Sequence, residues 1–327
     1  MEKILNVLYK KGGINMSIRT DLALEAREIY SENAKDKEEI DGVDVKITKN
    51  EGITTTKIKI TNDNGVRALG KPIGTYVTIE APDIKYSVEV YENACRLLAE
   101  EIKNITEIDK KTKTLVVGLG NKRITPDALG PDVISKLMVT NHMKEQFKDF
   151  LNDDITSVCA IAPGVLGTTG METAQIIKGV IEQVKPDLVI AVDALASRSL
   201  DRISTTIQLS DTGINPGAGV ENSRARLDEK TLGVKVLAIG VPTVVDAVTI
   251  ASDSIDMAMN DINEDILGDE RKNQLIKEAL SKNIGSLMVT PKDIDSVIEK
   301  TSKTVANGIN LALHKNLTFE DIESFVG

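Results

Sequence analysis

Four short, almost uninterrupted apolar runs restrict this chain more than any other feature: residues 114–119, 158–162, 188–192 and 234–239. Runs this short and this apolar suit strands covered on both faces, the situation inside a parallel sheet. Between and after them lie stretches with apolar residues at helical spacing, around residues 129–143, 171–184 and 244–259, and Pro242-Thr243 reads as the start of the last. This alternation predicts an α/β fold, a doubly wound and mostly parallel sheet flanked by helices, across about residues 112–260. Residues 203–210 read as one additional strand.

The first third is patterned differently. Val43, Val45 and Ile47 alternate with polar residues, as do Ile58 and Ile60, and Asn50-Glu51-Gly52 lies between them, which predicts an N-terminal β-hairpin with one buried face. A strand over residues 75–80 follows Gly70-Lys71-Pro72, and helices are expected over 22–33 and 87–105. Residues 1–16 are weakly patterned. A helical C-terminal tail, with helices over 273–282 and 291–313, is expected to pack against the sheet. The organisation is therefore a leader over 1–21, a hairpin and helix region over 22–111, and an α/β core with its tail over 112–327, all within one compact domain.

Composition excludes several classes of function. No apolar run approaches the roughly 20 residues that span a bilayer, and the start lacks a signal peptide's apolar stretch and cleavage site, so a cytoplasmic protein without a membrane partner is expected. Acidic residues outnumber basic ones, 50 to 40, no basic patch stands free of acidic neighbours, and aromatic residues make up 3%, so direct binding of nucleic acid is not expected. Cys95 and Cys159, far apart on apolar segments, read as reduced core thiols, and no CxxC or Cys/His cluster offers a zinc site.

In an open parallel sheet, ligands bind beyond the carboxyl ends of the strands. The loops to search are 120–130, 163–170, 193–204 and 240–246. The first begins Gly118-Leu119-Gly120-Asn121, where a dinucleotide fingerprint fails because position 123 is Arg123. Asp127, in Thr125-Pro126-Asp127-Ala128, stands just before a helical stretch, where a helix cap is the plain alternative to chemistry. Asp193 ends the run 188–192 and needs a partner or a use, with an ion pair to Arg198 or Arg202 as its plain alternative. If the two loops meet, Asp127 and Asp193 form a carboxyl pair that shares one proton, leaving one base to activate water and one acid to assist the carbonyl or the leaving nitrogen. Such a pair hydrolyses an amide without a covalent nucleophile.

Other machinery is poorly supplied. His142 and His314, the only histidines, are expected at the surface or in capping roles, and no GxSxG elbow occurs. A metal on the two aspartates would need more donors, for which Asp246 is available, but no metal or other cofactor is expected. The loop 164–170, with Gly167 and Thr168, is suited to offering backbone N–H groups to a peptide or an oxyanion, and the loop 213–219 to edging a groove. Asn121, Gly167, Thr168, Arg198 and Asp246 are thus candidates for substrate contact or support.

At these residues the chain resembles the germination proteases of spore-forming bacteria, over about residues 17–313. Ser17-Ile18-Arg19-Thr20-Asp21-Leu22-Ala23, Val117-Gly118-Leu119-Gly120-Asn121, Thr125-Pro126-Asp127-Ala128-Leu129-Gly130-Pro131 and Pro163-Gly164-Val165-Leu166-Gly167 carry the resemblance. Asp193-Ala194-Leu195-Ala196-Ser197-Arg198-Ser199 and Gly240-Val241-Pro242-Thr243-Val244-Val245-Asp246-Ala247 complete it. The resemblance implies a cytoplasmic endopeptidase of the spore core that begins the degradation of small acid-soluble spore proteins at germination. It also implies a core similar to hydrogenase-maturation peptidases, whose nickel-contacting histidine has no counterpart in the four loops here, and catalytic aspartates at Asp127 and Asp193. A homotetrameric zymogen is implied too, one that cuts itself at Asp21–Leu22, within a segment similar to the substrates' own cleavage sequence. The alternatives are a metal-dependent peptidase on the same aspartates and a non-enzymatic peptide-binding protein.

Overall fold

The alternating residues of the first third form the expected hairpin in a computed structural model of the chain, which describes residues 20–33, 39–146, 155–217, 225–247, 249–251, 253–254 and 287–326. The strands are β1 (Val43–Asn50), β2 (Ile53–Ile60), β3 (Gly74–Glu80), β4 (Lys113–Gly118), β5 (Ser157–Ile161), β6 (Leu188–Ser197), β7 (Thr206–Ser210), β8 (Lys235–Asp246) and β9 (Met288–Val289). Glu51 and Gly52 close the β1–β2 hairpin with φ of +48° and +77°, the two positive angles that a two-residue turn matching strand twist requires.

All nine strands share one sheet in the order β1-β2-β3-β7-β8-β6-β4-β5, with β9 beside β8. The four apolar runs became β4, β5, β6 and β8, and these are the strands that pair in parallel. β1, β2, β3 and β7 extend the sheet antiparallel from β8, so a parallel core sits inside a mixed sheet.

Burial on both faces explains the run composition. Val116, Ile190 and Val192 point into a core closed by the Val88–Ile105 and Ile294–Leu313 helices, while Leu115, Val117, Val189 and Ala191 point into a second core with Ala174 and Ile177 of the Thr173–Val184 helix. Each such side chain contributes about 1.5–3 kcal/mol. The tail helix is a central part of the first core: Gly308 lies so close to Leu98 that a Cβ there would stand 2.5 Å from it.

Three local expectations change. The stretch 129–143 splits into short helices, Leu129–Ile134 and Asn141–Gln146, because Thr140 instead pairs with the edge of β5, its N–H donating to Val158 O and its hydroxyl accepting from Val158 N–H. Pro242 starts no helix but lies inside β8, which runs on to Asp246. It is tolerated where the register with β6 shifts, at a bulge that needs no donor from proline. His314 takes the capping role and not the surface one: it caps the end of the Ile294–Leu313 helix fully buried, and burial holds its imidazole down at about 4. Cys95 is buried and Cys159 half-buried, and neither forms a disulfide among the described residues. The leader before Thr20, the helix expected over 273–282 and part of that over 244–259 lie outside the described residues. Among the described residues no helix is long and apolar enough to cross a membrane.

Candidate active site

Strand register brings the site together. Asp193 on β6 pairs with Gly240 on β8, and Gly240 pairs with Gln208 on β7, so Gln208, Gly240 and Asp193 form one row across three strands. Paired residues send side chains to the same face, with neighbouring strands about 4.8 Å apart. Gly240 is small of necessity, since a Cβ there would meet the Leu195 side chain at 2.4 Å.

Asp127 reaches the same place from the loop after β4. The chain turns at Gly120 (φ +111°) and folds back so tightly that a Cβ at Gly120 would stand 2.1 Å from the Asp127 carbonyl oxygen. The Asn121 N–H then donates to both that carbonyl, at 3.0 Å, and Asp127 Oδ2, at 2.8 Å. From the other side the Thr243 hydroxyl donates to Pro126 O at 2.7 Å. Asp127 is therefore not a helix cap. Its carboxylate is positioned by the backbone of Asn121, and the turn is pinned to β8.

Both aspartates line one cavity of about 610 Å³, together with Asp21, Lys71, Tyr76 and Gln208. Asp193 is 6% exposed, and its Oδ1 accepts the Ala194 N–H at 3.0 Å. Burial, then the facing charges of Asp127 and Asp21, push its carboxyl well above the usual carboxylate range. Both influences favour the neutral form of the Asp193 carboxyl.

Asp21, from the segment 20–25, lines this cavity, and the segment is anchored around it. The Asp21 N–H donates to Ala196 O at 3.0 Å, and Asp21 Oδ2 accepts the Ala196 N–H at 2.9 Å, so the residue adds itself to the edge of β6. Its carbonyl oxygen accepts from Lys71 Nζ at 3.0 Å and Gln208 Nε2 at 3.2 Å. Leu22 and Ala23 are fully buried, and the Ala23 N–H donates to Gln208 Oε1 at 2.7 Å. Glu25, 1% exposed, accepts the Arg198 and Ser199 N–H groups, the Arg202 guanidinium and the Thr20 hydroxyl. Burial raises the Asp21 carboxyl, opposed by the Ala196 N–H and the charge of Lys71. Burial likewise lowers Lys71, opposed by Asp21.

The remaining candidates lie further off. Asn121 contributes its backbone. Its side-chain oxygen accepts the Arg123 N–H. Gly164 and Val165 line the cavity, whereas Gly167 and Thr168 are exposed in the short Leu166–Thr169 helix, the Thr168 hydroxyl turned back on Val165. Arg198 points its guanidinium at Asp253, and Arg202 bridges Glu25, Glu28 and Glu80, so neither alternative partner of Asp193 lines the cavity. Asp246 is buried outside the cavity and accepts the Thr249 N–H. Among the described residues no group of three or more His, Cys, Asp or Glu is arranged to hold a metal ion. Residues 213–217 edge the cavity, as their glycine-rich pattern predicts. Lys71 and Gln208 were not legible as site residues. Lys71 lies between Gly70 and Pro72 ahead of a strand, and Gln208 looked like an ordinary alternating position.

Comparison with known proteins adds a separate line of observation. A family model described as germination protease matches residues 23–267 and 264–326. The germination protease of Clostridium tetani is 48% identical over 324 residues, covering 95% of this chain and all of the relative. That of Caldanaerobacter subterraneus subsp. tengcongensis is 47% identical, over 96% of this chain and 99% of the relative. That of Bacillus cereus is 40% identical, over 92% and 95%.

Proposed function

The chain belongs to the germination protease family, an endopeptidase family of spores, and from that premise we propose that it is a zymogen that cuts itself at Asp21–Leu22 and then degrades small acid-soluble spore proteins, with Asp127 and Asp193 activating water. One observation carries this reading: two carboxyl groups distant in the chain line one cavity, and the main chain of Asp21, which also lines it, is held there by Ala196, Lys71 and Gln208.

Their surroundings divide the labour. Asp127, half-exposed and accepting an N–H, is the base that takes a proton from water. Asp193, buried and holding its proton, is the acid that passes it to the leaving nitrogen. Asp21 holds its place in the cavity wall until the cut is made, which keeps other peptides from the same donors. The enzyme works without metal as a homotetramer in the cytoplasm of the spore core, touching neither membrane nor nucleic acid directly.

Incubation of purified full-length chain with a small acid-soluble spore protein, in buffer containing a chelator, tests this on a gel. Cleavage is expected with the unaltered chain and none with Asp127→Asn or Asp193→Asn. An intact substrate with the unaltered chain contradicts the proposal and favours simple binding.

A further inference from the structure

The half-buried Lys71 ammonium lines the cavity with the carboxyl pair, and among the described residues no ion pair explains it there. Its partners are two carbonyl oxygens, Asp21 O at 3.0 Å and Thr20 O at 3.4 Å. Leaving a charge in such a place is costly unless something uses it. Gln208 is the second unexplained polar group. It stands in the row with Asp193 and donates to the same Asp21 oxygen at 3.2 Å, while its other end accepts the Ala23 N–H. The two donors thus converge on the carbonyl of one peptide bond, in the cavity that holds both aspartates.

We propose that Lys71 and Gln208 are catalytic residues that form the oxyanion site of this enzyme, gripping the carbonyl oxygen of the scissile bond on the face where Asp193 stands in register. The inference rests on the self-cleaving reading above, and it adds the electrophilic half that two carboxyl groups lack. Water attacks the Asp21 carbonyl carbon and gives one proton to Asp127. The carbonyl π pair moves onto oxygen, where the negative charge is met by the Lys71 ammonium and the Gln208 N–H. As that pair returns, the bond to the Leu22 nitrogen breaks and the nitrogen takes the Asp193 proton. The products are the Asp21 acid and the Leu22 amine, and the proton on Asp127 restores the pair's single shared proton. A charged donor strengthens as the oxygen becomes an anion, so the contact stabilises the transition state more than the bound peptide. Gln208 also brackets the bond, its amide holding the Asp21 carbonyl on one side and the Ala23 N–H, one residue beyond Leu22, on the other.

The same oxygen position serves any peptide that enters after the leader has left, so both donors govern substrate turnover as well as self-processing. Removing one donor from an oxyanion site lowers the rate by about 10²–10³-fold.

The test uses the full-length chain and three variants. Lys71→Met removes the donor but fills the space with an apolar chain of similar length. Gln208→Glu keeps the acceptor for the Ala23 N–H, loses the donor to Asp21 O and places a further carboxyl in the cavity. Lys71→Arg retains a cation. Self-processing is followed by intact mass, folding by circular dichroism, and kcat and KM on a small acid-soluble spore protein.

Expected are about 10²–10³-fold slower processing in Lys71→Met and Gln208→Glu, partial recovery in Lys71→Arg, and a loss that falls on kcat with KM nearly unchanged. A folded Lys71→Met or Gln208→Glu chain that processes within about threefold of the unaltered rate overturns the oxyanion site. So does a loss confined to KM. An unaltered chain that never cuts at Asp21–Leu22 overturns the self-cleaving reading instead, which keeps the two failures apart.

Discussion

Gly120→Ala perturbs the catalytic geometry without touching a functional group. A Cβ at this position would stand 2.1 Å from the Asp127 carbonyl oxygen and 3.0 Å from Asp127 Oδ1, whereas ordinary contact begins at 3.4 Å. The turn must therefore open by roughly 1 Å, and the Asn121 N–H that holds the carboxylate moves with it. The φ of +111° adds strain, because an L side chain rarely adopts it. Backbone strain of this kind costs about 1–3 kcal/mol, and overpacking of a tight contact about as much again. Stability should fall by about 2–5 kcal/mol, read as the shift in a urea unfolding curve. A misplacement of about 1 Å at a reacting group costs about 10²-fold in rate. Self-processing, measured by gel under conditions where circular dichroism shows a folded chain, should therefore slow by about two orders of magnitude. A folded Gly120→Ala chain that processes at the unaltered rate would show that Asp127 is not held by this contact.

Three further predictions concern pH. Activity should follow a bell, lost in acid as the base gains a proton and lost in alkali as Asp193 gives up its own; a profile with no alkaline fall denies Asp193 the acid's part. Stability follows the same group. Its folded carboxyl binds protons more tightly than the unfolded one, so the stability it contributes is complete at low pH and fades as pH rises through the folded value. Asp193→Asn should accordingly be more stable than the unaltered chain at neutral pH, by a margin that shrinks towards pH 4. His314 has the opposite sense: lowered from 6.5 to about 4, it contributes stability above 6.5 that is lost as pH falls. Up to about 3 kcal/mol should disappear over that interval in urea titrations, and His314→Gln should flatten the slope.

Much of this architecture was legible in the residues. The four apolar runs announced strands buried on both faces, and they became the parallel centre of the sheet. Asn50-Glu51-Gly52 announced the hairpin turn. What the pattern did not carry was long-range pairing. Nothing local in residues 206–210 says that β7 will join β8 to β3 and so close the gap between two kinds of sheet. Pro242 was misjudged because its local preference for a helix start was overridden by a bulge against β6. The aspartates stood out because a carboxyl at the end of an apolar run is chemically conspicuous. Lys71 and Gln208 did not, since their meaning comes only from the Asp21 oxygen that the fold brings to them. Arg198 and Arg202 misled for the converse reason. Nearness in sequence to Asp193 offered a simple ion pair, while the fold supplied Asp253 and three glutamates.

The central claim is that two distant carboxyl groups jointly break a peptide bond laid between them, and intact-mass measurement of the purified full-length chain over time tests it most directly. The account predicts loss of residues 1–21 from the unaltered chain and an unchanged mass for both Asp127→Asn and Asp193→Asn. Loss of the same segment at the unaltered rate from either variant would contradict it.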